Sequence, residues 1–151
     1  MGDREQMLSQ ARAEISKLME IVSTSKLYES EAWGPSANDN FLNQVVIVET
    51  TLFPEELLGR LKAIESDLGR VRKERWADRN IDIDILYYGE KITKAPTLQI
   101  PHPQIPNRRF TLVPLVELLP DFINPLEGRN HRQLLFDCRD EKKVWEYPPK
   151  P

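Results

Sequence analysis

Two aspartates at alternate positions, Asp82 and Asp84, are the residues of this sequence best suited to chemistry. They alternate with isoleucines over residues 81–85, and residues two apart in a β-strand point to the same face. A strand would hold the two carboxylates about 7 Å apart, where their repulsion favours a bound divalent cation. Mg²⁺ suits such a site because it takes oxygen ligands and completes its shell with water or phosphate oxygens. The alternative interpretation is a solvated strand face.

A cluster of basic residues directly precedes the acidic pair. Five of the 21 lysines and arginines fall within residues 70–79, at Arg70, Arg72, Lys73, Arg75 and Arg79. Guanidinium groups bind phosphate oxygens through paired hydrogen bonds and keep their charge at working pH. Together the cluster and the acids predict a site for a metal-bound polyphosphate, although the cluster alone is equally typical of an exposed basic loop. No glycine-rich phosphate loop can be drawn through the six glycines, so side chains and metal would hold a nucleotide.

Aromatic and polar side chains lie together in two predicted loops. Phe41 and Asn43 end the first loop, and Phe110 ends a proline-rich loop that begins with His102 held between two prolines. Two aromatic rings could clamp a flat heterocycle while the asparagine binds its polar edge, and His102 could contact a nucleotide. Trp76 also falls in a loop, where a large ring is expected to cover something. The alternative is that both phenylalanines join the core.

Composition limits the class of protein. The chain has 151 residues, 40% apolar and 30% charged, with 21 basic and 24 acidic side chains giving a net charge of −3. These values are typical of a globular protein and exclude a generally basic nucleic-acid coat. A single cysteine, Cys138, excludes an internal disulfide and is expected to be a small core residue, while His131 falls on a polar stretch. We expect one domain over residues 1–151, in the cytoplasm.

The elements that must position these residues follow from apolar spacing. Residues 7–22 predict a helix, residues 24–29 and 44–52 predict strands, and a second helix is expected to begin at Pro54 and end at Gly69. The basic stretch from 70 to 80 is expected to be a loop, followed by a strand at 81–87 and a hairpin turn at Gly89. Short helices are expected at 112–118 and 132–136, with a strand at 143–145. This order favours an α+β sandwich with helices packed on a mostly antiparallel sheet.

The combined motifs resemble the 6-hydroxymethyl-7,8-dihydropterin pyrophosphokinase family. They comprise residues 69–76 (GRVRKERW), 79–85 (RNIDIDI), 41–43 (FLN), and 101–110, where Pro-His leads to Asn-Arg-Arg-Phe. The resemblance covers nearly the whole chain and implies a ferredoxin-like α+β sandwich. It also implies transfer of the pyrophosphoryl group of ATP to the hydroxymethyl oxygen of the pterin, with release of AMP. Family members have a strand ahead of the Gly2-Asp3-Arg4 motif, so that first strand is expected to be absent from this chain.

The resemblance also implies a role for each matching residue. Two Mg²⁺ ions and the reacting phosphates would be held by Asp82, Asp84, Arg70 and Arg79. The pterin would be bound by Phe41, Asn43, Trp76 and Phe110. ATP would be bound by Glu65, Arg70, Arg72, Arg75, His102 and Arg108. The implied partners are these two small-molecule substrates, without nucleic acid or membrane, and we expect a monomer.

Two other functions fit part of the pattern. A sheet with exposed aromatics and a basic loop could stack single-stranded RNA, although an acidic pair would repel its phosphates. A different metal-dependent nucleotidyltransferase could use the same two aspartates. Identification of a pyrophosphorylated pterin would separate these possibilities.

Overall fold

The computed structural model describes residues 2–31, 40–75 and 81–148, with backbone alone for residues 2–3 and 71–75. The chain forms two compact units, Met1–Val22 with Val48–Ile85, and Ser23–Ile47 with Leu86–Pro151. Helices and antiparallel strand pairs occupy separate stretches of the sequence. The fold is therefore α+β, the class of the ferredoxin-like sandwich that the resemblance implies. No helix in the described ranges is long and apolar enough to cross a membrane.

The first unit contains two helices. Helix α1 spans Gly2–Ser16 and packs against α2, which spans Pro54–Arg75. Their facing sides bury apolar residues at spacings of three and four, namely Met7, Ala11, Ile15, Leu57, Leu61, Ile64 and Leu68. Two predicted boundaries were wrong. The first helix stops before Val22, which lies on a strand, and α2 continues through Gly69 because the basic residues beyond it are good helix formers.

Seven strands lie in the described residues. They are β1 (Glu20–Thr24), β2 (Leu27–Ser30), β3 (Phe41–Asn43), β4 (Val46–Glu49), β5 (Thr93–Ala95), β6 (Leu98–Ile100) and β7 (Val144–Tyr147). Strand β1 pairs with β4, β2 lies antiparallel between β3 and β7, and β5 pairs antiparallel with β6. The single strand expected at 24–29 is thus two strands. They are separated at Ser25, whose N–H and side-chain oxygen bond the backbone of Val45 at 2.8 and 3.0 Å.

The segment 81–87 was predicted to be a strand but pairs with no strand in the part of the chain that the structure describes. The exposure of residues 81–85 nevertheless alternates as predicted, with both aspartates exposed and the isoleucines half-buried or buried. Gly89 does lie in a turn, with a φ of 55° and a 3.0 Å bond from the Lys91 N–H to the Tyr88 carbonyl. The predicted hairpin across Gly89 was wrong, because β5 and β6 make the hairpin further along the chain.

The second unit has its core around α3 and α4. Helix α3 spans Arg109–Leu118 and α4 spans His131–Asp137, close to the predicted helices. Four side chains with at most 1% exposure form the centre of this core, namely Ile105, Leu112, Leu115 and Leu134. Cys138 packs against them, so its predicted core position is confirmed. Pro114 lies inside α3, where it has no N–H to donate to a preceding carbonyl.

Candidate functional site

The acidic pair lies in the first unit. Asp82 and Asp84 are exposed, Ile83 between them is half-buried, and Ile85 is buried with 8% exposure. The carboxylates are therefore accessible to ligands, and the isoleucine beyond them anchors the segment in the core. Among the residues the structure describes, no set of three or more histidine, cysteine or acidic side chains could hold a metal ion by itself. A cation at this pair would need further oxygen ligands from water or a substrate.

A cleft of about 370 Å³ borders this segment on the α2 side. It is lined by Lys62, Glu65, Arg70 and Asp82 among others, so three sequence-predicted site residues share one cleft. The Oε2 atom of Glu65 accepts a 2.5 Å hydrogen bond from the backbone N–H of Ile83. The exposed guanidinium of Arg70 is ion-paired with Asp67, one turn earlier on α2. The cleft thus combines two basic and two acidic side chains.

The remaining basic-cluster residues are described only in part. The backbones of Arg72 and Arg75 continue α2, so the loop expected over residues 70–80 was wrong for residues 70–75. Trp76 and Arg79 lie outside the described residues. The roles of these four residues therefore stay predictions.

The sheet in the second unit places two predicted pterin-site residues on one face. In the β2–β3 ladder Ser30 lies opposite Phe41, and Tyr28 opposite Asn43, so these four side chains share a face. Phe41 is 47% exposed. The Oγ of Ser30 and the Nδ2 of Asn43 are buried and have no hydrogen-bond partner among the described atoms. Such atoms are uncommon in folded proteins and indicate a place where a ligand or water supplies the partner.

The start of α3 brings two further predicted residues together. The guanidinium carbon of Arg108 lies 5.6 Å from the centre of the Phe110 ring, a cation–π distance. The Arg109 N–H between them donates a 3.0 Å bond to Asp140 Oδ2. Asp140 therefore caps this helix from a distant part of the chain, a role that no local sequence signal indicated.

His102 is fixed by backbone contacts. Its N–H donates to the Leu86 carbonyl at 2.9 Å, and its Nδ1 accepts from the Gln104 N–H at 3.1 Å. In the neutral ring the proton is therefore on Nε2, which can donate to an acceptor such as a phosphate oxygen.

His131 falls on a polar stretch of the sequence, yet its side chain is fully buried. Its Nδ1 donates to the Leu119 carbonyl at 2.6 Å, which leaves Nε2 to accept from the Tyr87 hydroxyl at 2.9 Å. Burial lowers the pKa of His131 and raises the pKa of Tyr87 to about 12. The sequence did contain a signal that His131 begins a helix, because Asn130 and Gln133 form a capping box.

An α+β fold with an accessible acidic pair at a cleft that also carries basic side chains, and with unpartnered polar atoms beside an exposed aromatic ring, is suited to a phosphoryl-transfer enzyme with a polar aromatic substrate. The family model for 7,8-dihydro-6-hydroxymethylpterin-pyrophosphokinase (HPPK) matches residues 1–120. The chain belongs to this family.

Curated relatives agree with this membership. The chain is 39% identical to the 2-amino-4-hydroxy-6-hydroxymethyldihydropteridine pyrophosphokinase of Aquifex aeolicus, over 83% of this chain and 79% of that protein. It is 40% identical to the protein of the same name from Synechocystis, over 87% of this chain and 66% of that protein. It is also 36% identical over its full length to 23% of the folic acid synthesis protein FOL1 of Dictyostelium discoideum.

Proposed function

We propose that this protein transfers the pyrophosphoryl group of ATP to the hydroxymethyl oxygen of 6-hydroxymethyl-7,8-dihydropterin. The new bond joins that oxygen to the β-phosphorus, the bond from the β-phosphorus to the AMP oxygen breaks, and the hydroxyl proton is released. Family membership and the names of the relatives favour this activity over RNA binding or another nucleotidyltransferase. We expect the reaction to occur in the cytoplasm, with these two small molecules as the partners of a single-domain monomer.

The donor set in the first unit fits Mg²⁺. Asp82 and Asp84 offer carboxylate oxygens on the exposed side of their segment, and Mg²⁺ takes such oxygens together with water and phosphate. When bound, the ions would neutralise charge on the phosphates of ATP. Arg70 and Arg79 would hold the phosphate oxygens, and Arg70 would leave Asp67 to do so. We assign two Mg²⁺ ions to the aspartates.

The single observation that carries the proposal is the buried, unpartnered Nδ2 of Asn43 on the same sheet face as the exposed Phe41 ring. A buried donor without a partner costs roughly 1–3 kcal/mol, so a ligand that accepts this hydrogen bond recovers that energy on binding. A pterin offers ring nitrogens and a carbonyl at the edge of a flat system that can stack on Phe41. Phe110 would stack on the opposite ring face and Trp76 would cover the site.

The remaining assignments concern ATP. We place Arg72, Arg75, Arg108 and His102 at the phosphates or nucleotide, with the proton of the neutral His102 ring on Nε2. Glu65 lines the same cleft as Asp82.

The test is to incubate the protein with Mg²⁺, ATP and the hydroxymethyl pterin, and to identify both AMP and the pyrophosphorylated pterin. Replacing Asn43 with Ala should raise KM for the pterin about tenfold to a hundredfold, with KM for ATP changed less than about threefold. Gln99, an exposed residue of β6, provides the control, and its replacement with Ala should change neither constant. AMP formation without a pterin product, or an unchanged pterin KM in the Asn43 variant, would count against the proposal.

A further inference from the structure

Glu65 connects α2 to the acidic segment through the backbone. Its Oε2 accepts the 2.5 Å hydrogen bond from the N–H of Ile83, the residue between Asp82 and Asp84. Segment 81–87 has no pairing strand within the described ranges, so no sheet ladder there fixes the direction of its backbone. A bond at the residue between the two aspartates acts on both side chains at once, because each is one peptide unit away.

The geometry also indicates that Glu65 is not one of the cation ligands. Glu65, Asp82 and Asp84 do not form a set of three ligands in the described part of the chain. The carboxylate of Glu65 instead has one oxygen committed to a backbone donor, and the side chain is half-buried while both aspartates are exposed. Glu65 therefore contacts the backbone between the two aspartates and, among the described residues, does not form a ligand set with them.

We propose that Glu65 is a positioning residue, whose hydrogen bond to the Ile83 N–H sets the spacing and direction of the Asp82 and Asp84 carboxylates. The bond belongs to the protein alone, and only the consequence for Mg²⁺ and ATP rests on the proposed function. The assignment differs from direct ATP binding, in which the negative charge or a contact with substrate would be the essential property of Glu65.

Two substitutions separate these roles. Glu65→Gln keeps a side-chain oxygen that can accept the Ile83 N–H but removes the charge, whereas Glu65→Ala removes the acceptor. Two quantities are measured in each variant, the hydrogen-exchange rate of the Ile83 amide and the Mg²⁺ concentration that gives half-maximal AMP release. Circular dichroism checks that each variant is folded.

In Glu65→Ala we expect the exchange rate of the Ile83 amide and the half-maximal Mg²⁺ concentration each to rise about tenfold or more. In Glu65→Gln we expect both quantities to stay within about threefold of the wild-type values. Glu55, an exposed glutamate in the first turn of the same helix, is the matched control, and its replacement with Ala should change neither quantity. Equal losses of Mg²⁺ response in the Gln and Ala variants would overturn the proposal, because the charge would then be essential.

Unchanged exchange of the Ile83 amide in Glu65→Ala would equally overturn it. If the wild-type protein releases no AMP, the proposed function fails. The exchange rates of the Ile83 amide in the wild type, Glu65→Ala and Glu65→Gln still decide whether Glu65 fixes the backbone at Ile83.

Discussion

The free energy of unfolding should decrease as the pH is lowered from 7.5 to 5.5, because one histidine is buried. His131 is fully buried and its Nε2 accepts a hydrogen bond from the Tyr87 hydroxyl, so a second ring proton would displace that donor and place a charge in the core. Burial lowers the pKa of His131 in the folded protein. In the unfolded chain the same side chain should titrate near its ordinary value of about 6.5.

The sign follows from proton binding. Below pH 6.5 the unfolded chain takes up a proton that folded His131 resists, so the stabilisation is complete above about pH 6.5 and decreases as pH falls towards the folded pKa. If folded His131 binds no proton in this range, the loss between pH 7.5 and 5.5 is at most about 1.4 kcal/mol, one pKa unit of free energy.

Urea denaturation at pH 7.5, 6.5 and 5.5 measures this loss. His131→Gln should be less stable than wild type at pH 7.5 by about 1–3 kcal/mol, since the Tyr87 hydroxyl and Leu119 carbonyl lose their partner, but its stability should vary less with pH. The chain has two histidines, and His102→Gln is the matched control that keeps the wild-type pH dependence. A His131→Gln protein with the same pH dependence as wild type would refute the reasoning.

Two other predictions concern the second unit, and thermal and urea unfolding test both. Leu112→Ala, at a position with 0% exposure, should lower the free energy of unfolding by about 2–5 kcal/mol. Leu126→Ala, at a position 44% exposed, should change it by less than about 1 kcal/mol, and equal effects would contradict the assigned core. Asp140→Ala removes the acceptor of both the Arg109 N–H and the Lys142 N–H and should cost about 0.5–2 kcal/mol, whereas Asp140→Asn keeps one acceptor oxygen for the Arg109 N–H and should cost clearly less. Equal losses in both Asp140 variants would argue against the cap.

The sequence was sufficient for features set by local spacing. The apolar residues of α2, the Pro54 start and the helices of the second unit follow from periodicity and end signals. The α2 end was missed because Gly69 permits a stop without requiring one. Residues 81–85 have the alternation of exposure expected of a strand, but a strand also requires a pairing partner, and none of the strands in the described ranges pairs with this segment.

The parts of the candidate site that depend on neighbouring residues could be predicted from the sequence. The exposure of Asp82 and Asp84 follows from a pattern that spans a few residues. Phe41 and Asn43 were expected to end a loop, and that prediction was wrong, because both lie on strand β3, where pairing with β2 sets their conformation. The bond from Glu65 to Ile83 and the cap from Asp140 join residues 18 and 31 positions apart. Such contacts depend on packing, and a single sequence does not record which distant acceptor meets which donor.

Pro114 has a consequence for the aromatic residue one turn earlier. Because proline has no N–H, the Phe110 carbonyl lacks the donor that every interior helical position ordinarily supplies four residues later. The turn that bears this ring is therefore joined to the rest of α3 by one bond fewer than usual. Its rigidity comes in part from outside the helix, from a carboxylate that holds the neighbouring peptide unit.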